Sequence, residues 1–195
     1  MLTRADVTTK VDRTLTFTGG AGDYTHVTVR NNSAGVTIDA TEGIGEAASN
    51  SSVMAAWLGG FADMRVTAVM KYVSPTTQAN SEIGVMGRFT SPASTGFTTA
   101  SYIYARVDGG VAKITEVVAG ALTTLTSTAY ALPQDELCTI TLTIRGTAWT
   151  ASFNCTSLGT VSLSATSSNV SGIGVGGIRS LSSSIRCRTL RVEQL

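Results

Sequence analysis

Apolar and polar residues alternate one by one through most of this chain, a pattern that few structures other than strands can use. In "LCTITLTIR", residues 137–145, Cys138, Ile140, Leu142 and Ile144 interleave with Thr139, Thr141 and Thr143. Successive side chains of an extended strand point to opposite faces, so one set enters a core and the other meets a surface. A helix would scatter the same residues around its axis. The device recurs along the chain. "VDRTLTFT" sets Val11, Leu15 and Phe17 against Thr14, Thr16 and Thr18, and "MRVTAVMKYV" sets Met64, Val66, Ala68, Met70 and Tyr72 against Arg65, Thr67 and Lys71. "EIGVMGRFT", "AWTASFN" and "GTVSLSA" repeat it, and 53–58 reads as a further strand. In "SIRCRTLRVEQL" the apolar phase slips between Cys187 and Leu190, which predicts a bulge or bend. Pro75, Pro92 and Pro133 all fall between alternating runs, where a missing amide does no harm. Many short strands with turns between them predict an all-β protein, an antiparallel β-sandwich of jelly-roll type. The chain is expected to form a single domain over 1–195. Residues 1–50 are its least defined part, with an N-terminal extension or docking segment as the alternative.

Composition narrows the function. Charged residues make up 14% of the 195, against roughly a quarter in ordinary soluble domains. Thr, Ser and Gly take their place and give polar but largely uncharged faces. A formal net charge of +1 argues against nucleic acid as a partner, and no apolar run has membrane-spanning length. The polar start "MLTRADVTTKVDRT" lacks the apolar core of a signal peptide, so folding in a cytoplasm is expected. Cys138 and Cys187 fall in phase with inward apolar residues. All three cysteines, Cys155 included, are therefore expected to be unpaired thiols, with a disulfide between two of them as the alternative. Arg179, Arg186, Arg188 and Arg191 cluster near the C-terminus. They read either as charge guarding an exposed strand against edge pairing or as a surface for an acidic partner, and Arg186, Arg188 and Arg191 are candidate interface residues. Reversing the charge of Arg186 and Arg188 is expected to change assembly more than folding.

The stretch "SYIYARVDGGVAKITEV", residues 101–117, is the most informative for a site. Two alternating runs meet at Asp108-Gly109-Gly110, a turn that tolerates positive φ. Ile103, Ala105 and Val107 take one face, and Tyr102, Tyr104 and Arg106 take the other. Outward phenols beside a planar cation can stack on sugar rings or anchor a protein interface, and they can equally be ordinary cross-strand pairs on a solvated sheet. Tyr102, Tyr104 and Arg106 are the candidate ligand- or partner-binding residues, and Arg88 and Lys113 are counted with them. If this face is solvated, replacing both tyrosines by threonine should leave the fold intact.

Catalytic chemistry finds little support. Glycoside hydrolysis needs two carboxyl groups flanking one bond, and the acids here are scattered. The adjacent pair Asp135-Glu136 follows Pro133 in a turn. His26 is the only histidine, so a histidine-rich metal site is impossible, and no nucleophile-elbow pattern accompanies it. Asp23, Asp39, Asp63 and Asp108 lie near turns but form no dense calcium array. "GGAGD" and "GIGVGG" lack the Lys-Ser/Thr of a phosphate loop. Trp57 and Trp149 read as core. No catalytic residue, metal or cofactor is expected.

From about Gly59 onward the order of features resembles the concanavalin A-like lectin/glucanase jelly roll, close to laminin-G-type modules. The stretches that carry the likeness are "FADMRVTAVMKY", "SEIGVMGRF", "SYIYARVDGGVAKITEVVAGALTTL", "LCTITLTIRGTAWTASFN", "SGIGVGGI" and "CRTLRVEQL", about two-thirds of the chain. Domains of this kind include glycosidases, calcium-dependent sugar binders and modules of bacteriophage minor tail, fibre and head-decoration proteins. The resemblance implies a non-enzymatic structural or adhesion protein of a phage particle. Its partners would be other virion proteins of the capsid or tail and a second copy of itself in a homo-oligomer, with a host-surface glycan as a further partner and the virion as its location. A carbohydrate-binding module using the outer face of one sheet is the alternative.

Overall fold

The computed structural model describes residues 12–16, 27–30, 36–39, 43–46, 53–56, 58–72, 82–90, 99–180 and 185–195. His26 and Trp57 lie outside them, as do nearly all of the segments 74–81 and 91–99. Sixteen strands are described, numbered in chain order. The larger sheet holds β1 (Asp12–Thr16), β3 (Val36–Asp39), β4 (Gly43–Glu46), β7 (Met64–Tyr72), β12 (Leu137–Arg145), β13 (Ala148–Cys155), β14 (Gly159–Thr166) and β16 (Ile185–Gln194). Its order is β14-β13-β12-β7-β16-β4-β3, with β1 also paired to β16. The smaller sheet runs β11-β10-β9-β8-β15-β6, from β6 (Leu58–Phe61), β8 (Glu82–Thr90), β9 (Ser101–Asp108), β10 (Val111–Val118), β11 (Ala121–Ala129) and β15 (Gly174–Ser180). A two-stranded ribbon joins β2 (Val27–Arg30) to β5 (Val53–Ala56). The ladders between these strands are antiparallel. The result is an all-β antiparallel sandwich, as the alternation predicts.

The core lies between the two sheets. Met64, Val66, Ala68, Met70, Ile140, Leu142, Ile144, Trp149, Phe153, Leu190 and Val192 face Ile83, Val85, Ile103, Ala105, Ile114 and Ile178. Trp149 is core, as its phase requires. Two bare positions let the sheets approach. A Cβ at Gly87 would sit 2.5 Å from Ile144 Cδ1, and one at Gly176 would sit 2.9 Å from both Val66 Cγ2 and Val192 Cγ2. Tight turns close the local hairpins, with Gly109-Gly110 between β9 and β10, Ala119-Gly120 between β10 and β11, and Gly146-Thr147 between β12 and β13. The slip in the last run is present as a register shift between Cys187 and Thr189.

The cysteines correct an expectation. Cys138 and Cys155 are directly opposite across the β12–β13 hairpin, with Cα atoms 4.4 Å apart, and their sulfurs are bonded. Each lies seven residues from the hairpin pair Arg145↔Ala148, so the tight turn alone forces them together. Only Cys187 is free among them, and burial pushes its thiol well above the ordinary value, so it stays protonated and inert. The same hairpin is tied at its far end by Tyr130. Its hydroxyl accepts from Cys155 N–H at 2.9 Å and donates to Gly159 O at 2.9 Å.

Thiol titration of the denatured chain without reductant should therefore find one thiol, not three. Reduction should cost about 3 kcal/mol, the amount expected for a loop of this size. Equal unfolding midpoints with and without reductant would show that the bridge adds nothing.

Candidate functional site

β9 sits inside the smaller sheet, between β8 and β10. Its register places Tyr104 opposite Met86 and Thr115, and Arg106 opposite Gly84 and Lys113. Ile103, Ala105 and Val107 fill the core side, so Tyr102, Tyr104 and Arg106 share the outer face, as their alternation requires. That face is not solvated. Tyr102 is 2% exposed, Tyr104 0% and Arg106 6%. The expectation of a solvated face is thus wrong. Its physical reason is a second apolar cluster, in which Met86, Phe89, Ala100 and Val117 close around the two phenols. The expected tolerance of a tyrosine-to-threonine pair falls with it, because the change would hollow out this cluster.

Sequence and packing fix the phenols. The Tyr104 ring lies over Gly84, where a Cβ would sit 2.7 Å from its Cε2 and 2.1 Å from Ala105 O. Tyr102 meets Tyr104 edge-on with centroids 6.2 Å apart, and Phe89 packs 5.6 Å from Tyr102. Arg179 of β15 joins the group. Its Nη1 donates to Tyr102 Oη at 2.7 Å, and its backbone oxygen accepts from Tyr104 Oη at 3.0 Å. Its guanidinium carbon stands 5.3 Å from the Tyr104 centroid and 5.9 Å from that of Tyr102, both in cation–π range. The Arg106 guanidinium lies 5.8 Å from the Tyr104 centroid.

Glu82 of β8 lies between the two guanidiniums. Its Oε2 accepts from Arg106 Nη1, and its Oε1 is 3.2 Å from Arg179 Nη1, an ion pair without hydrogen-bond alignment. Asp108 extends the chain of charges, 3.5 Å from Arg106 Nη1, and it accepts from Lys113 Nζ at 2.8 Å. Lys113 and Asp108 are the solvent end of the network, their side chains 21% and 31% exposed. Burial pushes the Tyr104 hydroxyl well above its ordinary pKa and raises that of Tyr102. Both phenols stay neutral at ordinary pH and can donate as well as accept.

The remaining sequence candidates lie elsewhere. Arg88 sits in a register shift of β8 with φ +51° and is buried. Its Nε donates to Ala62 O at 2.6 Å and its Nη1 to Val170 O at 3.0 Å, and its Nη2 is 3.4 Å from Asp63 Oδ1. It clamps two connections and does not reach the phenols. Arg186, Arg188 and Arg191 lie on β16, which is internal to the larger sheet. The reading of these arginines as guards of an exposed edge is therefore corrected. Arg191 grips Asp12 of β1 with Nε at 2.9 Å and Nη2 at 2.5 Å, and this hydrogen bonding holds the Asp12 carboxyl below its usual pKa.

Sequence reasoning passed over Glu82, and it left Arg179 out of the candidate set. Glu82 stands in phase with Gly84 and Met86, so its outward side was readable. Its meeting with Arg179 was not, because that needs the β8–β15 pairing across nearly a hundred residues. A second polar group was also missed. Glu116 is buried on the core side of β10, and it accepts from Ser167 Oγ at 2.6 Å and Asn169 Nδ2 at 2.9 Å. Beside it Thr147, Thr166, Ser167 and Ser168 line an open cleft of about 310 Å³. Of the acids near turns, Asp63 accepts from Gly146 N at 2.9 Å besides its contact with Arg88, and Asp108 holds Lys113. Asp23 lies outside the described residues. No group of three or more metal-ligating side chains occurs among the described residues.

Known structures share this architecture. The carbohydrate-binding module CBM66 from Bacillus subtilis superposes with a TM-score of 0.60 at 15% identity, over 87% of this chain and 92% of that one. The CBM2 module of the evolved Dit of Lactobacillus casei BL23 phage J-1 gives 0.59 at 15% identity, over 94% and 96%. The lectin UEA-II, solved in complex with galactose, gives 0.64 at 9% identity, over 95% and 99%. The fold is a concanavalin A-like, lectin-type jelly roll. No protein-family model matches the chain, and no curated protein matches it.

Two predictions follow from the network. The phenol value in an unfolded chain is about 10. The folded values of Tyr102 and Tyr104 lie above it, so the native state keeps protons that the unfolded chain gives up. Stability should be complete below pH 10 and fall as pH rises past it. In an ultraviolet titration these two phenols should ionise only together with unfolding, and a smooth early titration of every tyrosine would refute the burial. Glu82→Ala leaves two guanidiniums facing an empty site and should cost about 3–5 kcal/mol in denaturant unfolding. A loss below about 1 kcal/mol would show that the charges are solvated after all.

Proposed function

We propose that this protein is a non-enzymatic adhesion module of a bacteriophage particle that recognises a host-surface glycan at the exposed Lys113–Asp108 end of the network on its smaller sheet. The observation that carries the reading is that phenol–guanidinium–carboxylate network, within a lectin-type jelly roll. Tyr102, Tyr104, Arg106, Arg179 and Glu82 form a rigid base whose rotamers are locked by packing and ion pairs. Lys113 and Asp108, at its solvent end, offer a cation and a carboxylate to sugar hydroxyls.

The likeness to a carbohydrate-binding module and to a module of a phage Dit supports both halves of this reading. The low charge content suits packing among other virion proteins, where buried charge is costly. The placement of the buried carboxylates supports the non-enzymatic half of this reading. Glu82 and Glu116, the buried carboxylates among the described residues, lie on opposite faces of the smaller sheet, each held by its own partners. They cannot flank one glycosidic bond.

Purified protein on an array of bacterial surface glycans should retain at least one class. Lys113→Ala should weaken that retention by roughly tenfold, the equivalent of one charge-assisted hydrogen bond. Mass spectrometry of purified particles should find the chain. Failure to bind any glycan would remove the recognition half, and absence from particles would remove the other.

A further inference from the structure

Among the described residues the two sheets end together on one flank, the smaller at β11 and the larger at β14. Neither strand carries a charge or a proline: β11 reads ALTTLTSTA and β14 reads GTVSLSAT. Open edges normally carry lysine, proline or a bulge to prevent pairing with another chain. β11 has such a device, since its register with β10 shifts between Ile114 and Thr115, against Thr126 and Thr124, and leaves Leu125 over. β14 has none. Its register with β13 runs unbroken from Thr166↔Ala148 to Gly159↔Cys155.

The free groups of β14 can be assigned. The Cα separation of Cys138 and Cys155 is that of a non-hydrogen-bonded pair, so Cys155 turns its N–H and C=O toward β14. Three bonds agree with that phase. Tyr130 Oη stands between Cys155 N and Gly159 O, and Ser167 N donates to Thr147 O at 3.1 Å. Gly159, Val161, Leu163 and Ala165 therefore bond inward to β13. Thr160, Ser162, Ser164 and Thr166, all exposed, turn their N–H and C=O groups to the open edge.

The sequence of this edge is complementary to itself. Reversed about Leu163, residues 160–166 (TVSLSAT) place Thr160 opposite Thr166, Val161 opposite Ala165, and Ser162 opposite Ser164. Open-edge residues then meet open-edge residues, so the ladder closes. Hydroxyl side chains face hydroxyls on the outside. On the inside Val161, Leu163 and Ala165, which pack on the core, meet their counterparts and continue it.

We infer that β14 is the interface of a homodimer, with two copies pairing it antiparallel about a two-fold axis at Leu163 to form one continuous sheet. The test reads the register itself. The parent protein should sediment as a dimer at micromolar concentration. Ser162→Lys with Ser164→Lys sets two lysines opposite two lysines and should give a monomer with an unchanged melting temperature, since both side chains are exposed. Ser162→Lys with Ser164→Glu sets each lysine opposite a glutamate of the other copy and should restore the dimer. Ser162→Pro removes an edge donor that β13 does not use and should also give a folded monomer. A monomeric parent, a lysine pair that stays dimeric, or a lysine–glutamate variant no more dimeric than the lysine pair would each overturn the inference.

Discussion

The separation of the two sheets is set where bare backbone meets branched side chains. Gly87 of β8 lies under Ile144 and Met64, and Gly176 of β15 lies under Val66 and Val192. With any side chain at these positions the sheets would stand further apart, and the interior would lose the close packing that supplies its dispersion energy. The same strands pay in regularity: the ladder of β8 with β9 shifts between Gly87 and Thr90, and that of β15 with β8 between Val175 and Gly177. Arg88 sits within the first shift in the left-handed region, a conformation that costs a non-glycine residue on the order of 1–3 kcal/mol. Its three guanidinium contacts, to Ala62, Val170 and Asp63, hold it there. Asp63 in turn anchors the turn at Gly146. One close approach between layers thus organises a bulge, a buried cation and the hairpin that carries the disulfide.

The outer face of the smaller sheet obeys a different balance. A buried ion pair is roughly neutral against well-packed apolar residues, so Glu82, Arg106 and Arg179 contribute little to net stability. They contribute definition. Glu82 on β8, Arg106 on β9 and Arg179 on β15 meet only when those three strands hold their observed registers, and a slip of one residue would turn each charge toward the core. The neutral phenols belong to the same device, since each can donate and accept where the backbone of β15 and the guanidiniums require it.

Local pairing was legible in the sequence, and distant pairing was not. The inward set of β9, the turn at Gly109-Gly110 and the slip beside Cys187 follow from period-two alternation and turn chemistry alone. The Cys138–Cys155 bridge was legible too. Counting outward from Gly146-Thr147 puts the two cysteines opposite each other, a step that the inward phase of Cys138 alone does not take. The solvated reading of Tyr102 and Tyr104 failed for a physical reason. Alternation says which face a side chain takes, and the neighbouring strands decide whether that face is covered. Met86 and Arg179 reach the phenols through the β8–β9 and β8–β15 ladders, and the second of these joins segments with no local signal between them. The arginines of β16 were misread for the same reason, because being last in the chain does not make a strand last in the sheet.

Edge and face are independent surfaces, and their combination has a geometric consequence. A two-fold axis relating antiparallel strands of one continuous sheet stands perpendicular to that sheet, so it keeps inner faces inner and outer faces outer. Both smaller sheets of a β14-paired dimer then lie on the same side, and their outer faces, with Lys113 and Asp108 at the solvent end, look in one direction. Single sugar contacts are weak. A second site held at fixed spacing can raise the overall affinity by roughly 10²–10⁴ without any new contact, provided that both sites can engage at once. A surface that repeats one glycan meets that condition for two faces pointing the same way. On the proposed function, pairing through β14 would set two copies of the Lys113–Asp108 end on one side and turn a modest binding site into an adhesive one.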